Sequence, residues 1–361
     1  NVNASEDLLN ISLLVQGNNT AITELSLIEY TFQYIFTNDN SDGQVNFEVI
    51  FSDSAGNSGD IVTETTNSSY TIFDKVPPSD FTVQDVITVG ENSIANAWNS
   101  TNSAININIP VSDDESLDSG RVQIIAKVAN NDFENLDSYL FFQSNDLNNS
   151  KIVSVSESLV ESISGFSEND TITISAIIYD VPGNMTIGSE SNTKLVINQS
   201  IPIIINSNIE SDFSDSSLAG VDNIITLIFE TDTEIIIPSV TISGQEAIIV
   251  NLGDNEWQAS YTMQSSDEDG IIPFVIDFMD VYGNPNSVIN STEDGTFVTF
   301  DNSKPSLSLV SIKSSNQDTT FAKVGDTITI IFEADEVLTS QIASINSNNL
   351  FISVAESTDI L

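Results

Sequence analysis

The chemistry open to this sequence is carboxylate chemistry. Asp and Glu together number 53 against 8 Lys and Arg, and neither His nor Cys occurs. That removes disulfides, thiolate nucleophiles, ordinary zinc sites and the commonest general base. Oxygen is the metal ligand that remains, so Ca2+ leads over any transition ion, with other divalent cations behind it. The acids also recur in a pattern. Asp280-Val-Tyr-Gly283-Asn284 has copies at Asp53-Ser-Ala-Gly56-Asn57 and Asp180-Val-Pro-Gly183-Asn184. Each copy closes an alternating apolar run and is followed downstream by a polar residue and a proline: Asp74 and Pro77, Asn198 and Pro202, Asp301 and Pro305. One reading is a tight turn, with Asp capping its own backbone, Gly at positive φ and Asn tolerating the left-handed region. The other is that the acids converge with others at one end of a domain and hold a cation.

Composition narrows the partners. A formal net charge of −45 excludes nucleic acid and anionic membrane as partners, since both demand positive charge. The same charge attracts cations and opposes compaction unless counterions or bound metals screen it. With 40% hydrophobic residues, rich in Ile, Val and Phe, the chain has enough apolar surface for folded cores. No apolar run approaches the ~20 residues of a membrane span, and no basic-then-apolar signal leads the chain. It begins at Asn1 and both ends fall inside the repeat pattern, so a processed or partial segment is expected. Many Asn and Ile with few cations fits an exported protein. A carboxylate pair is the machinery of a glycosidase, but repeats that carry the same acids argue for structure, and no enzyme is expected.

The elements that must position these acids read as strands. Tyr30 to Phe36 and Val45 to Phe51 alternate around the turn Asn38 to Gly43. Trp257 to Tyr261 and Phe274 to Phe278 repeat them around Ser265 to Gly270, so Tyr30 falls where Trp257 falls, and Tyr34 where Tyr261 falls. Asn38-x-Asn40-x-Asp42-Gly43 and Ser265-x-Asp267-x-Asp269-Gly270 superficially match the opening of an EF-hand loop. Without a closing Glu on a helix they read as hairpin turns. Further strands are expected at Ala104 to Pro110, Val122 to Val128, Tyr139 to Phe142, Ile152 to Val155, Thr171 to Tyr179, Ile224 to Glu230 and Ser239 to Gly244, with a short helical turn near Leu159 to Phe166. Strands this short, with no sustained helical period, predict an all-β chain of tandem β-sandwiches. Four domains follow: 1–76, 77–201 (a larger variant), 202–304, and the start of another at 305–361.

At Ala322-Lys-Val-Gly-Asp-Thr-Ile-Thr-Ile-Ile-Phe-Glu-Ala-Asp-Glu336, with Asp269 to Asn284 and the Asp301 to Pro305 junction, the chain resembles the tandem immunoglobulin-like repeats of large prokaryotic cell-surface proteins. The second domain looks closer to a fibronectin-III-like variant, judged by Trp98, Pro110, Asp113-Asp114-Glu115 and Asp180 to Asn184. With the acidity and the Asn and Ile bias, the whole is similar to surface-layer (S-layer) proteins of marine ammonia-oxidising archaea. That resemblance implies a secreted structural array, open to glycosylation and assembled with divalent cations.

In such a sandwich the loop after the second strand and the loop before the last lie at one pole. The expected junctions then gather Asp74, Asp113, Asp114, Glu115 and Asp180; Asn198, Asp232, Glu234 and Asp280; and Asp301, Glu333, Asp335 and Glu336. Carboxylates crowded within a few ångströms are costly unless protonated or metal-bound, which makes these the candidate Ca2+ ligands. The alternative is a solvated polar rim neutralised diffusely by salt. Of ten Asn-x-Ser/Thr sequons, Asn67, Asn99, Asn148, Asn169, Asn184 and Asn290 are the candidate glycosylation sites.

The function expected is that of a structural protein at the cell surface, self-associating into an S-layer lattice whose negative potential concentrates cations, ammonium included. The rival reading is a stalk or binding segment of a large adhesin or biofilm protein built from the same modules.

Overall fold

A computed structural model describes residues 1–26, 28–336, 338, 342–345 and 348–349. Its contacts form two compact units, one of Asn1–Pro202 with Met279–Pro285, the other of Ile203–Phe278 with the residues from Asn286 onward. Among the described residues the only α-helix is Glu157–Val160, in the segment expected to turn helically, and no helix is long and apolar enough to cross a membrane.

In the first unit the chain opens with β1 (Val2–Asn3), β2 (Leu8–Val15), β3 (Asn18–Asn19), β4 (Ala21–Ser26), β5 (Glu29–Gln33), β6 (Gly43–Gln44), β7 (Phe47–Asp53) and β8 (Ile72–Phe73). They pair as β1-β5-β4, β3-β2-β7 and β6-β8, and Val15, Tyr30 and Val49 are buried. The larger sandwich follows with β9 (Val86–Gly90), β10 (Ala97–Trp98), β11 (Asn102–Val111), β12 (Arg121–Val128), β13 (Glu134–Phe141), β14 (Asn149–Ser156), β15 (Thr171–Tyr179), β16 (Met185–Ile187) and β17 (Leu195–Ile197). One sheet is β14-β11-β9; the other runs β10-β17-β15-β12-β13, with β16 on β15. Period-2 alternation sends Ile105, Ile107 and Ile109 of the first sheet against Val122, Ile124, Ile172 and Ile174 of the second, all fully buried around Trp98.

The second unit comprises β18 (Ile204–Ser211), β19 (Leu218–Ala219), β20 (Ile224–Thr231), β21 (Ser239–Ile242), β22 (Gln245–Glu246), β23 (Ile248–Gly253), β24 (Glu256–Thr262), β25 (Gly270–Ile271), β26 (Phe274–Asp277), β27 (Thr299–Phe300), β28 (Leu307–Ser314) and β29 (Ile328–Ala334), then the short pair β30 (Ser344–Ile345) and β31 (Asn348–Asn349). β18-β20-β24-β23 faces β22-β21-β26 across Leu227, Phe229, Ala259, Ile242 and Ile276. The β18-β20-β24-β23 order is that of the four-stranded sheet of a constant-type immunoglobulin sandwich, and β19-β27-β25 forms a third, short sheet.

The two complete sandwiches differ in one strand. β23 pairs with β24, whereas its counterpart β13 has moved to the other sheet and pairs with β12. The strand repeat expected from the sequence also holds in register: Tyr30 and Trp257 are each the second residue of β5 and β24, and both are buried. β28 pairs with β29 as β18 does with β20. Much of the expected domain at 305–361 lies outside the described residues.

Candidate functional site

Each Asp-x-x-Gly-Asn copy folds into the same turn. The Asp backbone N–H donates to the Asn carbonyl at 3.0 Å in all three. Asp280 Oδ1 accepts from Tyr282 N (2.9 Å) and Asn284 N (2.8 Å), and Oδ2 from Asn284 Nδ2 (2.9 Å). Asp180 Oδ1 accepts from Gly183 N and Asn184 N, with Asn184 Nδ2 on Oδ2 at 2.8 Å. Asp53 takes Ala55 N, Asn57 N and Asn57 Nδ2. Asp180 and Asp280 are only 3% exposed, so these amides replace the water a buried carboxylate would lose.

The Asn of the motif then reaches outward. Asn184 Nδ2 also donates to the Asp74 carbonyl at 3.2 Å. Within the first unit, Asn284 Nδ2 donates to Asn198 O (3.0 Å) and Oδ1 (2.7 Å), and its own Oδ1 accepts from Ser100 N (2.8 Å). Asn284 is fully buried. Gly283, at φ +91°, is fixed twice over, because an added Cβ would lie 2.5 Å from Asn92 O. The sequence reading gave this Asn only a left-handed backbone, but none of Asn57, Asn184 and Asn284 has positive φ, and it is the side chain that makes the contacts. The recurrence of Asn at the fifth position was the available signal.

A second constellation ties the end of each sandwich to its own body. Asp42 Oδ1 accepts from Lys75 N at 2.8 Å, and Lys75 Nζ returns to the carbonyls of Asn38 (2.7 Å) and Asn40 (2.6 Å). Asp269 Oδ1 accepts from Asn302 N at 2.7 Å and Oδ2 from Ser303 Oγ at 2.9 Å, while Asn302 Nδ2 returns to Ser265 O at 3.0 Å. In the larger sandwich Glu168 accepts from Gln199 N (3.1 Å), Ser200 N (3.2 Å) and Ser200 Oγ (2.9 Å). So the corner ahead of the last three strands sends one carboxylate to the backbone leaving the last strand, in all three sandwiches. The corner is itself braced: Asn40 Oδ1 accepts from Thr37 N and Asn40 Nδ2 donates to Tyr34 Oη, while Asp267 Oδ2 accepts from Gln264 N and Oδ1 from Tyr261 Oη. Loss of solvent and then the Asp267 charge raise the Tyr261 hydroxyl above its usual range. The EF-hand-like stretches are therefore turns, and their last Asp holds a chain rather than closing a loop around an ion.

Acids also grip the start of a strand. Ile203 N donates to Asp232 Oδ1 at 2.9 Å while Asp232 N donates to Ile203 O. Ser306 and Asp335 repeat the exchange, with Ser306 N at 2.8 Å and Ser306 Oγ on Oδ2. The side-chain hydrogen bond from Ser306 and then its backbone N–H hold the Asp335 carboxyl below the usual range.

The remaining expected ligands are placed as follows. Asp74 Oδ1 accepts from Val76 N, and Asp301 Oδ1 from Ser303 N. Asp114 caps the 3-10 turn Glu115–Leu117 through Ser116 N. Asp113, Glu115 and Glu234 are exposed. Glu336 is held above its usual range by loss of solvent and then by the charges of Asp301 and Asp335. Among the described residues no three carboxylates come together closely enough to hold an ion. The junction acids take N–H and O–H donors instead, which share their lone pairs with the polypeptide. Of the sequons, Asn67, Asn148, Asn169 and Asn290 are exposed. Asn99 is fully buried, its Nδ2 on Asn92 O (2.8 Å) and Tyr282 O (2.7 Å), and Asn184 Nδ2 is engaged as described.

Known proteins add little to this geometry. The chain matches no model of a known family and no curated protein. Solved structures similar to it include a 1.5-MDa bacterial ice-binding adhesin, 16% identical, covering 81% of this chain and 86% of that one at a TM-score of 0.35. The FN1–FN3 domains of chicken CNTN1 are 10% identical, covering 80% and 90% of the respective chains at 0.30. At these values the functional reading rests on the chain's own residues.

Proposed function

We propose that this chain is a structural segment of an extracellular, cell-surface protein: tandem β-sandwiches that carry tension and spacing, with a role as a subunit segment of an S-layer lattice. The observation that carries the proposal is the repeated carboxylate grip on the chain leaving each sandwich, by Asp42, Glu168 and Asp269. A domain that only has to display a binding loop has no need of a fastened exit, yet each of the three sandwiches has one. Charge-assisted bonds of this kind contribute roughly 1.5–3 kcal/mol when protected from water and less where exposed. The net charge of −45 supplies the second part of the role. An array of such chains holds a negative potential near its openings and concentrates cations, ammonium included.

The test is immunogold labelling and tomography of the native envelope with an antibody to this chain. Periodic surface labelling supports the lattice. Isolated fibres would turn the reading toward the stalk or binding segment of an adhesin, and label confined to the cytoplasm would sink both.

A further inference from the structure

One face of the larger sandwich departs from the rest of the surface. On the outer side of the β13-β12-β15-β16 sheet the register sets Phe141, Arg121, Tyr179 and Met185 in one cross-strand row, and Tyr139, Gln123, Ile177 and Ile187 in the next. Phe141, Tyr139, Met185 and Ile187 are exposed by 59, 54, 51 and 58% respectively. The rings of Tyr139 and Phe141 meet edge to face, with centroids 6.1 Å apart. Arg121, the only arginine in the chain, lies 4.3 Å from the centroid of Tyr179 and makes no ion pair among the described residues. Further along β12, Lys127 sits 4.5 Å from the centroid of Phe133, and Lys194 donates to Thr173 Oγ1 of β15. Glu190 bridges these two lysines at 2.8 and 2.9 Å.

Three of eight cations thus share a face with one bridging carboxylate among its described side chains, on a molecule with 53 acids. Exposed Phe, Tyr, Met and Arg on a flat sheet, with acids sparse, is the composition of an interface core rather than of ordinary surface. Four strands about 4.8 Å apart give a patch suited to the centre of a standard interface.

We infer that this face docks against the acidic surface of a second copy of the same chain. Charge complementarity selects that occupant: the patch is cationic, and the remainder of the chain is acidic. It also selects the geometry. Two such patches facing each other across a two-fold axis would oppose Arg121 to like charge, so the contact is heterologous, patch to acidic flank. A heterologous contact propagates into a closed ring or an open assembly instead of stopping at a dimer. The inference rests on the lattice reading above and names its contact.

The test is sedimentation equilibrium of the full chain over a concentration series in 0.15 to 0.5 M NaCl, where the long-range repulsion between copies is screened beyond about 8 Å or less. Wild type is expected to grow past dimer as concentration rises. Arg121→Glu and Phe141→Asp should each weaken association by about tenfold or more, and Arg121→Lys should restore it in part, because Lys keeps the charge and loses the planar fork. Ile152→Glu, at an equally exposed position on the opposite sheet, should change nothing. Circular dichroism melts confirm that each variant is folded. Association that all variants share equally would overturn the patch and leave assembly by another face standing. A wild type that stays monomeric to about 1 mM, the limit of a weak contact, would overturn the patch and the lattice together, and one that stops at dimer would overturn the heterologous geometry.

Discussion

The turn Asp53 to Asn57 and the turn Asp280 to Asn284 have the same hydrogen bonds and opposite surroundings. In the first, Asp53 is half-buried, Asn57 is exposed and Gly56 has open space around it; in the second, Asp280 and Asn284 are buried and an added Cβ on Gly283 would press against Asn92 O. The motif therefore folds by itself, and burial is added afterwards by whatever the Asn amide reaches. Asp180 to Asn184 stands between them, with a buried Asp, a half-buried Asn and free space beside Gly183.

That gradient can be broken from its steep end. Asn284→Ala removes a fully buried amide and takes a partner from the buried Asp280 Oδ2 and from the part-buried Ser100 N and Asn198 O, and is expected to cost about 3 kcal/mol. Asn184→Ala is expected to cost about 1–2 kcal/mol and Asn57→Ala less than about 1 kcal/mol. Urea titrations followed by tryptophan fluorescence would rank them, and equal losses at all three would show that burial contributes nothing. Gly283→Ala combines left-handed strain with a backbone clash and should cost about 2–3 kcal/mol, against about 1 kcal/mol for Gly56→Ala, which meets strain alone. For the exit grips the expected effect is smaller: Asp269→Ala should destabilise by about 1 kcal/mol, with amide exchange at Asn302 accelerating before that of β27.

The exposed copy also predicts a pH dependence. The Asn57 side chain and then its backbone N–H hold the Asp53 carboxyl below the ordinary value. Its pKa is lower folded than unfolded, so the stabilisation is complete above the unfolded value near 4 and is lost as pH falls through the folded one. Carboxyl NMR should find Asp53 titrating below free Asp, and Asn57→Ala should move it back up. Smallest of all is the expected response to Ca2+. Matched additions of Ca2+ and Mg2+ should raise the melting temperature alike, as diffuse screening does, whereas a rise specific to Ca2+ that Glu336→Gln abolishes would restore a metal reading at Asp301, Asp335 and Glu336.

The sandwiches were legible because strand alternation and copy-to-copy register report burial directly. Tyr30 and Trp257 align in sequence and are buried at matching strand positions. The turn chemistry of Asp280 was legible for the same reason, being local. What the sequence concealed was the destination of side chains whose partners are remote along the chain. Nothing near Asp42 announces Lys75, and nothing near Glu168 announces Gln199, because those pairings exist only once the last strand lies beside the corner. Counting acids pointed to the turns and chain exits, but not to the backbone amides that many of these carboxylates accept from. The strand switch of β13 was hidden too, since Tyr139 to Phe141 alternates equally well in either sheet.

Residues 302–306 are gripped from both sides, by Asp269 on Asn302 and Ser303 and by Asp335 on Ser306. A free stretch of that length would first straighten under a pull, paying out up to about 3.3–3.6 Å per residue before any fold felt the load. Here there is little rope to pay out. Force arriving along the chain would meet the hydrogen bonds of Asp269 and Asp335 before it reached the sheets.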